Sequence, residues 1–385
     1  MRTRTGYSTD KTASVAVEQA LSGITNPKCL LFASASGIFD EVGSILSERF
    51  PDCVVCGVST AITLSQNNDW TNNPMGIGLS ITEFGDDFDC VAGLLDYTDP
   101  KEALKTVSEC VGKIKDYRNT ICLEFVAAMP MDEEIVLELL STGLEGTGIP
   151  VVGACGSTDT PTKMSKIYYK NMAYSRSCVF ILLHNKLGAI RMYKENLYRT
   201  TRHALLATDV DLIDRMVYKF DDIPAAEAIA RELNMETSEF VQNPSVCTLG
   251  RNYNNELAVI DIDRVFDDGS IRTRACVYGG TRSYILEPED YRDSVKRVID
   301  KIRHESSECR FIFIIAGYTM VTRLRSENYM NEYTAQFNST GVEYAGITAF
   351  GEQYKNYNSN KSFIYIVFDT EVENGEKTDR NNPDK

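Results

Sequence analysis

The segment CLLFASASGIFDEVGSILSERFPDCVVCGVST, residues 29–60, decides the fold class. It begins with a short apolar run (29–35), continues with apolar residues at helical spacing (38–50), and ends in a second apolar run (54–60). The two runs predict buried strands, and the middle part predicts an amphipathic helix. A strand, a helix and a strand in this order normally give two parallel strands joined by a right-handed crossover.

The same pattern occurs twice more along the chain. The second copy consists of ICLEFVAAMP (121–130), DEEIVLELLSTGL (132–144) and VVGACGST (151–158). The third consists of RFIFIIAG (310–317), a helical segment (320–338) and YAGITAFGE (344–352). An extended stretch that can return antiparallel follows each copy, at 75–84, 166–183 and 362–368. We therefore predict an α/β fold with mixed β-sheets, in which strand-helix-strand units repeat in two associated halves.

Composition and charge narrow the class of protein. The 385 residues include 40 Lys and Arg against 55 Asp and Glu, which gives a formal net charge of −15. An acidic chain without a long basic stripe argues against nucleic-acid binding, which needs clustered positive charge. The longest apolar runs are far shorter than the roughly 20 residues of a membrane span, so no membrane insertion is expected.

Cysteine usage favours a cytoplasmic protein. The chain has 11 cysteines, an odd number, and many of them lie within apolar strand-like runs. Such placement is typical of reduced, buried thiols in a reducing compartment. Cys53 and Cys56 form a CxxC spacing, but both lie in the predicted strand CVVCG, where the two side chains point to opposite faces.

The predicted domains follow from where the repeated pattern is interrupted. Between the second and third copies lie a helix at 223–235, a hairpin at 257–278 and a second helix at 291–306. We place a boundary there, with an N-terminal domain over 25–219 and a C-terminal domain over 220–368. The polar stretch 369–385 is expected to be a disordered tail.

Several short motifs, in this order, resemble the FIST domain family, a sensory family with an N-terminal and a C-terminal half. The family's Gly-Cys-Ser-Thr-Ala-Gly-Glu-like turn is similar to residues 56–63, except that Val58 replaces the cysteine and Ile62-Thr63 replace the Gly-Glu. Further similarities cover about residues 5–368. They are Val152–Asp159, Ile223-Pro224-Ala225-Ala226, Gln242-Asn243-Pro244, Ala316-Gly317-Tyr318 and Phe350-Gly351-Glu352. Tyr318 stands where the family usually has arginine.

The resemblance implies a cytoplasmic sensory protein that binds a small ligand, with amino acids among the proposed ligands, and acts in signal transduction. Family members occur alone or with histidine kinases and other signalling modules. Because these 385 residues contain no such module, we expect the protein to act through a separate signalling partner. No resident cofactor is expected. Since some members resemble haem-binding nitric oxide sensors, haem stays an alternative.

Most of the predicted ligand-binding residues lie where the second strand of each copy ends, and Tyr318 and Arg323 follow the first strand of the third copy. Ligands collect at the carboxyl ends of parallel strands in open α/β sheets, and Gly, Ser and Thr there allow close approach and hydrogen bonding. Asp159 and Glu352 are candidates for an amino group, and Arg323 or Tyr318 for a carboxylate. The alternative is that these segments are only turns. The predicted set is Gly57, Ser59, Thr60, Gly156, Ser157, Thr158, Asp159, Tyr318, Arg323, Gly351 and Glu352.

Three other functions were weighed from the sequence. His184, His203 and His304 are far apart and lack paired Cys/His spacing, so no metal site is predicted; His184 or His203 would be the haem ligand in the alternative reading. Cys155, in a Gly-rich turn, is the candidate nucleophile if the protein were an enzyme, but no base is fixed beside it and we expect no catalysis. A pure interaction module, docking through helix 291–306, is the third alternative.

Overall fold

The computed structural model describes residues 1–35, 37–127, 132–158, 164–306 and 308–370. Most of the predicted tail lies outside these residues. Its first residue does not belong to a tail: Asp369 is buried and ends the last strand of the fold.

The strands of the described chain fall into three sheets. In chain order they are β1 Thr3–Ser8, β2 Cys29–Ser34, β3 Val54–Ser59, β4 Thr63–Ser65, β5 Leu79–Phe84, β6 Phe88–Leu95, β7 Thr120–Ala127, β8 Val151–Gly156, β9 Ile167–Tyr169, β10 Met172–Tyr174, β11 Ser177–Asn185, β12 Ile190–Glu195, β13 Tyr198–Asp211, β14 Met216–Phe220, β15 Ile223–Pro224, β16 Leu249–Tyr253, β17 Glu256–Ile260, β18 Ile262–Val265, β19 Ile271–Thr273, β20 Arg282–Pro288, β21 Cys309–Gly317, β22 Glu343–Tyr354, β23 Tyr357–Ser359 and β24 Phe363–Asp369.

The helices pack on the outer faces of these sheets. They are α1 Ala13–Ala20, α2 Phe39–Arg49, α3 Pro100–Val111, α4 Glu133–Gly143, α5 Ala225–Glu232, α6 Thr237–Gln242, α7 Tyr291–Glu305, α8 Tyr318–Ser326 and α9 Met330–Asn338, with a short 3-10 turn at Pro244–Val246. Local sequence explains several of the starts. The Asp99 carboxylate accepts a hydrogen bond from the Glu102 amide at 3.2 Å, and Pro100 occupies the first helical position of α3.

The three predicted strand-helix-strand units are confirmed. Strands β2 and β3, β7 and β8, and β21 and β22 each pair in parallel, and each pair is joined through helices. The predicted return strands also pair as expected. Strand β5 lies antiparallel to β2, β11 to β7, and β24 to β21. The fold is therefore α/β with mixed sheets.

The two large sheets stack face to face. A six-stranded sheet (order β1-β5-β2-β3-β9-β10) packs on a ten-stranded sheet (order β12-β24-β21-β22-β8-β7-β11-β6, with β23 and β4 on β22). Between them lies one apolar core with Leu31 and Val58 from the first sheet and Phe125 and Phe313 from the second. Helices α1 and α2 cover the outer face of the first sheet; α3, α4 and α7–α9 cover the outer face of the second. The result is a four-layer arrangement.

A third sheet connects the two halves of the chain. Its order is β17-β16-β20-β13-β14-β19-β18, with β15 on β14, and α5 and α6 pack against it around Phe220 and Ile229. The predicted hairpin is present, with β18 and β19 antiparallel and Gly269 at a left-handed φ of 81° in the turn. The division at 219/220 stays a prediction, and two of the sheets draw strands from both sides of it.

Candidate functional site

The segments that follow β3 and β8 meet strand β22 in a buried cluster of three hydroxyl groups, Thr60, Ser157 and Thr348. The Thr60 and Thr348 hydroxyl oxygens lie 3.2 Å apart. Ser157 Oγ donates to the Thr348 carbonyl at 2.6 Å and accepts from the Ala61 amide at 3.0 Å. All three side chains are at most 1% exposed. The predicted segments therefore do converge, but the Thr60 and Ser157 hydroxyls bond within the protein and join the two sheets.

Four other predicted residues serve packing at this junction. Ser59 Oγ accepts from the Lys166 amide at 2.8 Å. A Cβ on Gly57 would lie 2.3 Å from the Phe32 ring, one on Gly156 would lie 3.1 Å from Ser165 Cβ and from the Ser59 carbonyl oxygen, and one on Gly351 would lie 2.8 Å from Asn358 Oδ1. Neighbouring groups thus occupy the space that a side chain at Gly57, Gly156 or Gly351 would need, and a ligand-binding role for these glycines stays a prediction.

A cavity of about 420 Å³ opens beside the hydroxyl cluster, at the carboxyl ends of β21 and β8. We call it the ligand cavity. Three predicted residues, Thr158, Tyr318 and Glu352, line it. The ends of parallel strands are where open α/β sheets bind ligands. The full lining is Thr158, Asp261, Asp263, Arg272, Arg274, Gly317, Tyr318, Thr319, Ala349, Phe350, Glu352, Asn360 and Lys361.

One wall of the ligand cavity, from the third sheet and the β23–β24 connection, carries alternating charges. Arg272 Nη2 lies 2.6 Å from Asp263 Oδ2, and Arg274 Nη2 lies 2.8 Å from Asp263 Oδ1. Lys361 Nζ lies 2.7 Å from Asp261 Oδ1. The two arginine side chains are about 40% exposed, whereas Lys361 is only 8% exposed. Both signs of charge are thus held in place, with the guanidinium groups still accessible.

Glu352 provides a buried carboxyl group in the lining of the ligand cavity. It is 1% exposed, and its Oε2 accepts from the Ser362 amide at 2.9 Å and from Ser362 Oγ at 2.8 Å. Burial raises the pKa of Glu352 to about 8, against the opposing effect of these hydrogen bonds and of Lys194. Burial also lowers the pKa of Lys194 to about 7. Since a Cβ on Gly317 would lie 3.1 Å from Glu352 Oε1, glycine there keeps space beside the carboxyl group.

The remaining walls are aromatic and helical. The Tyr318 ring meets the Phe350 ring edge-on, with centroids 5.6 Å apart. Helix α8 begins at Tyr318 and has no side-chain cap at Gly317. The first amide groups of a helix lack partners within it and favour negative charge. Tyr318, which replaces the arginine usual at this position, therefore supplies an aromatic surface beside a helix N-terminus.

The structure does not bring the predicted Arg323 into this site. Arg323 lies on α8, where its Nε bonds Glu327 Oε1 at 2.9 Å one turn along the helix, and it does not line the ligand cavity. Asp159 lies outside the described residues. The arginines and aspartates of the third sheet were not predicted. They lie between the second and third copies of the repeat and reach the cavity only through long-range packing.

The histidines considered as haem ligands lie away from the ligand cavity. His184 Nδ1 lies 3.0 Å from the Thr120 hydroxyl, and His203 Nδ1 lies 2.7 Å from Glu232 Oε2. Neither ring lines the ligand cavity, so these residues do not fit a haem site there. Within the described residues, no group of three or more His, Cys, Asp or Glu side chains could hold a metal ion.

Cys155 is poorly suited to act as a nucleophile. Its side chain is 3% exposed in β8. Burial, and then the neighbouring Glu133, raise the pKa of the thiol well above its usual value. A nucleophilic cysteine needs the opposite, a lowered pKa and access to substrate.

Curated proteins and solved structures do not assign a family to the chain. No curated protein matches the chain. Among solved structures, it is similar to phosphoribosylformylglycinamidine synthase II from Thermotoga maritima, at 10% identity over 95% of this chain and 71% of that one. The TM-score of 0.19 is too low to support an argument.

None of the helices in the described part of the chain has the length and apolar character needed to cross a membrane.

The sequence pattern of the FIST N domain, by contrast, matches residues 29–223, which is just over half of the 385 residues. This range contains two of the three repeated units and the Thr60 and Ser157 segments of the hydroxyl cluster. The chain therefore belongs to the FIST family of sensory domains.

Proposed function

We propose that the protein is a sensor that binds a small zwitterionic molecule of the amino-acid type in the ligand cavity. The observation that carries the proposal is the charge pattern of the lining, in which Arg272 and Arg274 alternate with Asp261 and Asp263 beside the buried carboxyl group of Glu352. A ligand with one positive and one negative group can add a partner to both signs, whereas a singly charged ligand can add a partner to only one.

In this proposal the ligand's carboxylate faces Arg272, Arg274 and the N-terminus of α8. Its ammonium group faces the aspartates, and its side chain packs against Tyr318 and Phe350. Planar guanidinium groups suit a carboxylate because they can donate two parallel hydrogen bonds. A volume of about 420 Å³ is within the usual range of small-molecule sites.

Binding is proposed to act as a signal because the cavity is lined by parts that are distant in the chain. Thr158 comes from the first half, the charged wall from the third sheet, and Tyr318 from the last repeat. A ligand that contacts these three parts of the chain favours the conformation in which they lie close together. Binding would thus increase the fraction of molecules in the conformation that a separate signalling partner recognises. A cytoplasmic location is part of the proposal, supported by the eleven free cysteines.

Thermal unfolding against a panel of amino acids tests the proposal. For each amino acid the panel includes the amine without its carboxylate and the acid without its amino group. At 100 times its dissociation constant a ligand adds about 2.7 kcal/mol to stability. For a chain of this length that corresponds to a midpoint shift of about 3 °C.

The expected result is that one or a few amino acids raise the midpoint while their two singly charged analogues do not. Arg272→Gln is expected to remove the shift, and Arg323→Gln, a matched arginine outside the cavity, is expected to keep it. Equal shifts with the singly charged analogues, or no shift with any amino acid, would refute the zwitterion proposal.

A further inference from the structure

A second, smaller cavity lies between helix α4 and the third sheet, away from the ligand cavity; we call it the α4 cavity. Its volume is about 140 Å³. One wall carries Glu134 and Leu137 from α4, and the other carries Arg251, Ala258 and Ile260 from strands β16 and β17. We propose that the α4 cavity binds a short-chain aliphatic monocarboxylate, with Arg251 holding its carboxylate.

The guanidinium group of Arg251 has one buried N–H group without a partner. Its carbon lies 4.2 Å from the centre of the Tyr278 ring and 5.4 Å from the centre of the Tyr253 ring. Its Nε is buried and has no hydrogen-bond partner. Among the described residues, no carboxylate lies within 4.0 Å of this guanidinium group to form an ion pair. Because the rings occupy the faces, an anion must approach in the guanidinium plane, where a carboxylate can accept two parallel hydrogen bonds.

The nearest acidic side chain cannot neutralise Arg251, because it has other partners. Glu134 forms an ion pair with the buried Arg215, and its Oε1 accepts from the Cys276 amide at 3.0 Å. Glu138 also lines the cavity from the exposed side of α4. These two carboxylates disfavour a second negative charge on the ligand. A monocarboxylate is therefore favoured over a dicarboxylate or phosphate.

The other part of the wall is apolar and sets the size of the ligand. Leu137, Ala258 and Ile260 are each at most 3% exposed. A volume of about 140 Å³ corresponds to roughly five water molecules. Acids of two to four carbons have four to six non-hydrogen atoms, so they fit this space with the carboxylate at Arg251 and the alkyl chain against the apolar wall.

The test is a ligand-observed NMR titration of the full chain with acetate, propionate, butyrate, hexanoate, succinate and phosphate. Each added methylene that finds apolar contact is expected to tighten binding about fourfold. Affinity is expected to rise from acetate to propionate or butyrate and to be lost for hexanoate, succinate and phosphate. Affinities independent of chain length, or equal binding of succinate, would overturn the proposal.

Variants separate this site from the ligand cavity. Arg251→Gln is expected to weaken propionate binding at least tenfold, and Leu137→Phe, which fills the cavity without changing its charge, is expected to do the same. The control is Arg264→Gln, because Arg264 is exposed on the same sheet and also stacks on an aromatic ring, that of Phe266 at 4.9 Å. Arg272→Gln, in the ligand cavity, is expected to leave propionate binding unchanged. Unchanged binding in both Arg251→Gln and Leu137→Phe would overturn the assignment.

Discussion

Replacing Glu352 with glutamine is expected to stabilise the protein at alkaline pH and to leave its stability unchanged at acid pH. The folded-state pKa of about 8 lies well above the value of 4.5 for a solvated glutamate. Between these two pH values the folded wild type retains a proton that the unfolded chain has released. Stability of the wild type therefore falls as pH rises from about 4.5 to 8.

The size of the effect follows from the same two values. A tenfold difference in proton affinity corresponds to about 1.4 kcal/mol, so ionised Glu352 costs the folded state about 5 kcal/mol above pH 8. Glutamine avoids this charge but brings an amide group that also needs a partner, so we expect a net gain of about 2–5 kcal/mol. For 385 residues this corresponds to a rise in the unfolding midpoint of about 3–6 °C.

The assay is urea unfolding of wild type, Glu352→Gln and Glu332→Gln from pH 4 to pH 9. Glu332 is exposed on α9 and serves as the control for losing a surface carboxylate. Burial also raises the pKa of Glu124 to about 8. Because Glu124 is present in all three proteins, its contribution to the pH dependence cancels from the comparison. A stability difference between wild type and Glu352→Gln that is the same at pH 4 and pH 9 would refute the reasoning, as would a less stable variant at pH 9.

Three further predictions concern buried residues around α4 and β8. Arg215→Met is expected to destabilise the protein by about 3–5 kcal/mol in urea unfolding, because it removes the buried cation that lies 2.6 Å from Glu133 Oε2; a loss below 1 kcal/mol would contradict this. Gly153→Ala is expected to cost about 3 kcal/mol, since its Cβ would lie 2.1 Å from the Glu124 carbonyl oxygen, and a neutral effect in the same assay would show that the strands can separate. Cys155 is expected to remain unlabelled by a thiol reagent at pH 8 until the chain unfolds, as followed by mass spectrometry; rapid labelling of the folded protein would bring back the nucleophile hypothesis.

The repeated units could be predicted because their signals are local. Runs such as residues 29–35 and 310–317 are apolar at every position, and the segments between them have helical spacing. Parallel pairing then follows from the short helical connection. The convergence of the Thr60 and Ser157 segments followed from the same logic, since both lie at the carboxyl ends of strands that the repeat makes equivalent. Thr348, in the middle of β22, was not predicted.

The charged wall of the ligand cavity could not be predicted in this way. Asp263 and Arg272 form an ordinary hairpin pair in the sequence, and nothing local indicates that the third sheet brings them beside Gly317. Arg323 was predicted as a partner for a carboxylate. On helix α8, however, it is one turn from Glu327 and pairs with that side chain, outside the lining of the cavity.

The packing around Gly351 could not be predicted for a related reason. A glycine near the end of a strand allows close approach of a ligand, but here it is the Asn358 side chain of the following strand that fills the space. A glycine in the sequence indicates that some group approaches the backbone closely at that position. Only the packed structure identifies that group.

The central claim, that the ligand cavity binds a zwitterion through its charged wall, is tested most directly by calorimetric titration of the most stabilising amino acid into wild type, Arg272→Gln and Arg323→Gln. We predict that Arg272→Gln raises the dissociation constant at least tenfold, whereas Arg323→Gln leaves it unchanged. Equal affinities in all three proteins would contradict the account.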